Sequence, residues 1–187
     1  MKQLFSILLL FVFTQCVFAS DDAVTIDGEA FTNKFIGSPP NGDKLIEFIR
    51  SSETFENWTK LVGYRYQQLP KLDNDPRKTA LSLERIVKMK NPRAKARVIT
   101  NKRTNEAIID FLTWPKDGKY MEFNVFRYTK SPDGKAVVSL QLAYRFTDAS
   151  PKGIEKFKKI RSDWVRQAAA FDMKKIHSSL ALPGRLE

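Results

Sequence analysis

The sequence predicts an α+β sandwich in one domain: an antiparallel sheet of about six strands, covered by a helix near residues 76–90 and a long C-terminal helix near 151–177. Three observations predict it. Four strand-like runs between residues 93 and 146 follow one another through short turns, which is the pattern of a meander. The middle runs are apolar on both parities, Ile108 and Leu112 against Ile109 and Phe111, so both faces of the sheet need a cover. Two amphipathic helical segments are available to supply the covers.

Residues 1–19 read as a signal peptide, with Lys2 as a minimal basic start and 4–13 as an apolar core too short to span a bilayer. Val17 and Ala19 place small residues at the −3 and −1 positions of cleavage before Ser20. Cys16 raises lipidation as an alternative, although Gln15 stands where a lipobox wants Gly or Ala. The implied location is periplasmic or secreted. Export removes the one cysteine, so the mature fold depends on its core and not on disulfides. About 168 residues then remain, enough for one domain with a substantial core.

Residues 20–30 are short, polar and acidic and are expected to be a mobile leader. The domain is expected to span 31–180, with 181–187 as a tail. Residues 31–36 form the first expected strand, and the Pro39-Pro40-Asn41-Gly42 turn returns the chain into 45–49. Residues 52–58 fit a loop or one helical turn with Ser52 or Thr54 as cap, and 62–68 alternate as a strand. Asp75-Pro76 opens the first helix, whose stripe is Ala80, Leu83, Ile86, Val87 and Met89, and Asn91-Pro92 ends it. Turns at 115–118 and 131–134 join the later strands, where Gly supplies the positive-φ position. Ser150-Pro151 opens the C-terminal helix, with Ile154, Phe157, Ile160, Trp164, Ala168 and Phe171 on its apolar side.

The order of these elements, with KLIEF at 44–48, Glu53-Thr54, and Asn57-Trp58-Thr59 leading into a strand, resembles small exported bacterial proteins with a PsbP-like alpha-beta-alpha sandwich. Gly63 and Arg65 depart from that pattern, where Thr or Val and a small residue are expected. The resemblance implies a fold used for binding and docking and brings no catalytic mechanism with it.

The residues that could carry chemistry are few. His177 is the one histidine, and it is expected at the surface near a fraying helix end. With no cysteine in the mature chain, a zinc site lacks ligands. No Gly-x-Ser-x-Gly elbow, phosphate loop or dinucleotide fingerprint is present. No cofactor is expected. Glu53, Glu56, Asn57 and Trp58 form a loop candidate, either for a partner protein or for carboxylate-based glycan hydrolysis; the ordinary reading is a capped turn with Trp58 in the core.

The net charge of +11 points to anions. After export, nucleic acid gives way to an anionic envelope component or an acidic protein as the expected partner. Arg77, Lys78, Arg85, Lys88, Lys90, Arg93, Lys95, Arg97, Lys102 and Arg103 fall within one helix–strand–turn unit, and a helix beside its strand would gather several on one face. The ordinary reading of the same residues is a solvated surface.

Overall fold

The computed structural model describes residues 23–39, 41–115 and 117–181. The predicted signal peptide, the Cys16 alternative and residues 182–187 of the predicted tail lie outside them. Among the described residues, seven strands form one antiparallel sheet in the order β3 (Asn33–Gly37), β4 (Lys44–Ile49), β5 (Lys60–Gln67), β9 (Val137–Phe146), β8 (Met121–Lys130), β7 (Glu106–Thr113) and β6 (Lys95–Asn101). The last strand in sequence is therefore central in space. It joins the N-terminal three-stranded half to the later meander, in register from Gln67 opposite Val137 to Lys60 opposite Tyr144.

The alternation of side chains gives the sheet two faces. Phe48, Val62, Leu142, Val125, Asp110 and Arg97 lie in one cross-strand row. Helix α2 (Pro151–Ala170) and helix α3 (Met173–Ser179) cover this face and bury Phe157, Trp164, Ala168, Met173 and Ile176 against it. Helix α1 (Pro76–Lys90) lies on the other face over β6, β7 and β8, where Ala80 and Val87 meet Ala107, Ile109, Phe111 and Tyr128. The two predicted covers are thus on opposite sides, as a sheet apolar on both faces demands.

Local chemistry fixes the helix starts. The Asp75 side chain accepts from the Lys78 N–H and the Ser150 side chain from the Gly153 N–H, with Pro at the first helical position in both.

Four expectations need correction. The predicted mobile leader holds a hairpin, β1 (Val24–Ile26) and β2 (Glu29–Phe31), turned by Asp27 and Gly28, both at positive φ. That turn is a two-residue hairpin signal, and its product buries Ile26 and Phe31 in the main core. The long C-terminal helix is two helices: Phe171 is extended, and Asp172 caps α3 by accepting from the Lys174 N–H. His177 is buried, only 7% exposed, because that break turns α3 onto β9. Met89 is 60% exposed, outside the stripe of α1, which ends at Val87.

Candidate functional site

The predicted basic unit is a strongly one-signed stretch of chain. Residues 76–105 hold ten cationic side chains and one acid, Glu84. The Asn105 amide donates to Asp75 at 3.0 Å and so brings the β6–β7 turn to the start of α1. Arg77, Lys78, Lys102 and Arg103, all exposed, therefore belong to one end of the unit. Lys88, Lys90, Arg93 and Lys95 fall where α1 ends and β6 begins, at the other end. A 15-residue helix and a seven-residue strand both run roughly 20 Å, so the two elements match in length.

The single face expected from a helix beside its strand does not form. Lys95 and Arg97 do share a side of β6, but it is the side facing α2, opposite α1. The cations are spread instead along the exposed side of α1, the β6–β7 turn and the α2 side of β6, the terminal strand of the sheet, as a basic rim. Several have partners: Lys78 pairs with Asp73, Lys88 with Glu84 at 2.6 Å, and Arg93 lies 5.7 Å over the Trp114 ring. Arg97 donates to Asp110 at 3.1 Å, and Arg161 of α2 reaches the same carboxylate at 2.5 and 2.8 Å. Asp110 is 1% exposed, so two arginines neutralise a buried charge that would otherwise be costly. Arg77, Arg85, Lys95, Lys102 and Arg103 make no ion pair with a described carboxylate, and all five are exposed.

The 53–58 loop candidate is a structural turn. Glu53 accepts from Arg50 at 2.6 Å and from the Thr59 hydroxyl and N–H at 2.6 and 2.9 Å. Burial pushes the Glu53 carboxyl up, but these donors outweigh it and bring the group down to about 2. A glycan-hydrolysing acid needs the opposite shift, toward neutrality. Asn33 holds the loop from β3 by donating to the carbonyls of Arg50, Ser51 and Glu53. Glu56 and Asn57 are exposed, whereas Trp58 is 8% exposed and packs with Ile49, Leu61, Ala143 and Phe55.

Sequence reasoning missed a chain of side-chain hydrogen bonds on the α1 side of the sheet, beyond the reach of the helix. Glu47 accepts from Arg65 at 2.9 Å, Arg65 donates to Gln141 at 2.7 Å, and Gln141 donates to Asn124 at 2.9 Å. Asn124 donates to Glu122 at 3.0 Å, and Arg145 donates to Glu122 at 2.9 Å. Gly63 leaves the room: a Cβ there would come within 3.1 Å of the Gln141 Oε1. The signal was present as the two departures, Gly63 and Arg65, from the pattern the chain resembles. Asn124 and Gln141 are buried and bonded on both sides, which stiffens this face, while the Arg65 Nε is buried without a hydrogen-bond partner.

Two shallow clefts lie on the surface of the described residues. One of about 380 Å³ lies between the N-terminal hairpin and the α2–α3 corner, lined by Thr25, Tyr64, Phe171, Lys174 and Lys175. The other, of about 220 Å³, borders β6 between Ile99, Ile108, Arg127 and Ala169. Among the described residues no group of three or more His, Cys, Asp or Glu side chains is placed to hold a metal ion, and no helix is long and apolar enough to cross a membrane.

A protein-family model matches residues 18–173, most of the chain. The chain belongs to that family. It is an uncharacterised family, so membership fixes a relationship and leaves the activity to be read from the residues. No curated protein and no solved structure matches the chain. The match runs from before the hairpin to the first residue of α3, so it takes in the basic unit, the loop candidate and the hydrogen-bonded chain together.

Proposed function

We propose that this protein is an exported, non-enzymatic binding module of the PsbP-like kind that contacts an anionic component of the cell envelope through the rim formed by α1, β6 and the β6–β7 turn. One observation carries the reading: residues 76–105, which end at the terminal strand β6 and its turn, hold ten cations against a single acid. Exposed charge of one sign raises the local concentration of the opposite sign and speeds encounter. The layered arrangement, helices on both faces of an antiparallel sheet, supports the PsbP-like reading. Burial of Trp58 and the lowered pKa of the Glu53 carboxyl count against the alternatives of a partner-binding 53–58 loop and a glycan hydrolase.

The test is co-sedimentation with anionic liposomes, lipopolysaccharide and a soluble polyanionic polypeptide over a range of salt. Binding to at least one, weakening as salt rises and lost on reversing Arg85, Lys95, Lys102 and Arg103 to Glu, is expected. No binding to any of them at low salt sinks the reading.

A further inference from the structure

The basic rim surrounds an open strand edge. In the order of the sheet β6 is terminal, and its backbone pairs with β7 alone. The ladder between them is continuous, from Lys95 opposite Leu112 to Asn101 opposite Glu106, without a bulge. The strand has no proline, and no described element pairs with its outer side. Such an edge leaves unpaired N–H and C=O groups, a template for another strand.

Lysine on an edge is also how proteins prevent pairing, so the charge pattern has to be weighed. Antiparallel pairing of β6 with a second copy over its full length would set Lys95 of each copy opposite Asn101 of the other, and so beside the Lys102 and Arg103 that follow it. Two such clusters of like charge, one at each end of the pairing, repel. The cations therefore close the edge to itself and leave it open to a strand of opposite sign.

The side chains narrow the partner further. Along Lys95-Ala96-Arg97-Val98-Ile99-Thr100, cations stand on the α2 side and half-buried apolar residues on the α1 side. A complementary strand would alternate acid with apolar residues. Ile99 breaks the cationic side: it is 42% exposed at the mouth of the cleft it shares with Ile108, Arg127 and Ala169.

We infer that the anionic partner of the rim is an extended acidic protein segment that adds to β6 as an eighth strand. This rests on the reading of the rim as an anion-binding surface. Main-chain pairing would supply affinity, and the alternation of acid and apolar residues would supply register, as in other cases of strand addition.

The probe is a synthetic eight-residue peptide alternating Glu and Val, compared with the same peptide N-methylated at alternate residues, which keeps the charge and removes the donors. Binding is read by titration calorimetry, and amide hydrogen exchange follows residues 95–101 in the full domain. The parent peptide is expected to slow exchange along β6 and to bind at least tenfold more tightly than the methylated one. Ile99→Glu is expected to weaken the parent peptide severalfold without changing the unfolding transition. Equal binding of the two peptides overturns strand addition while leaving an anion-binding rim. Binding to phosphatidylglycerol vesicles with no affinity for either peptide does the same and assigns the rim to a lipid surface. No affinity for the parent peptide overturns strand addition, and no affinity at low salt for peptides, vesicles or lipopolysaccharide overturns both readings.

Discussion

The guanidinium of Arg145 lies 3.6 Å from the centre of the Trp58 ring, with the Tyr120 ring 4.8 Å from the same group and Glu122 accepting its Nε–H. That stack joins the end of the loop that follows β4 to the central strand β9. Trp58 therefore acts as an anchor between a loop and a sheet rather than as a contact offered to a partner.

Trp58→Ala should accordingly lower stability by about 3–5 kcal/mol, the range for emptying a large buried aromatic site. Arg145→Met should cost less, and the double variant should show a coupling of about 1–2 kcal/mol, as expected for a cation and ring that are mostly out of solvent. Urea unfolding of the four proteins measures this. Affinity for anions should stay unchanged in Trp58→Ala at temperatures where it is folded; a selective loss of binding would return the loop to consideration as a site.

Arg127 makes a comparable structural contact at the other end of the molecule. Its Nη1 donates to the carbonyls of Ala168, Ala169 and Phe171 at 3.1, 2.8 and 2.8 Å, while Nη2 donates to Glu106 at 3.0 Å. It thus satisfies the orphan carbonyls where α2 ends. Arg127→Met should cost about 2–3 kcal/mol, since hydrogen bonds from a charged donor to groups that then lose their partner are worth more than neutral ones. Arg127→Lys should recover only part, because a single ammonium cannot reproduce a guanidinium spread over four acceptors. Amide exchange in α3 should quicken before that of the sheet.

These two arginines show what the sequence made legible and what it did not. Asp75-Pro76 and Ser150-Pro151 mark helix starts through chemistry local to each pair, and the structure places both where they are read. Phe171-Asp172 was harder. Within the chain it continues an apolar stripe, and the break is stabilised by Arg127, a residue 44 positions away. The same holds for the polar chain on the sheet: Glu47, Arg65 and Gln141 are ordinary polar residues until strand pairing sets β4, β5 and β9 side by side. The basic unit was legible as a segment, since its charges are adjacent in sequence. Its shape was not, because the side of β6 on which Lys95 and Arg97 project depends on which face α1 covers.

Gly153 offers a test with a reversed sign. An alanine in place of glycine within a helix normally stabilises by up to about 1 kcal/mol. Here a Cβ would come within 2.6 Å of the Asp148 Oδ2 and closer still to the Asp148 backbone oxygen, which cannot rotate away. Gly153→Ala should therefore destabilise by about 1–3 kcal/mol through overpacking at the start of α2. Thermal unfolding decides it, and an increase in Tm would show that the 147–150 connection yields freely.

Acid should loosen the fold in two steps with separable causes. His177 is buried against β9 with its Nδ1 lacking a hydrogen-bond partner; burial pushes its pKa down, and Asp133 opposes this only in part. The unfolded chain thus takes up this proton first. The stability due to neutral His177 is complete above about pH 6.5, the value of a free histidine, and is lost as pH falls through the lower folded value. Glu53 acts at lower pH. Its carboxyl titrates at about 2 in the fold and near 4.3 when free, so its contribution is complete above the free value and disappears as pH falls toward 2. A depression of this kind corresponds to about 2–3 kcal/mol at neutral pH. Unfolding free energy measured from pH 8 to pH 2 should fall in both windows. His177→Gln should flatten the first and leave the second, and Glu53→Gln should do the reverse, with Arg50 then left without its nearest charge partner. If His177→Gln leaves the decline just below pH 6.5 unchanged, α3 is not held to the sheet by a neutral imidazole.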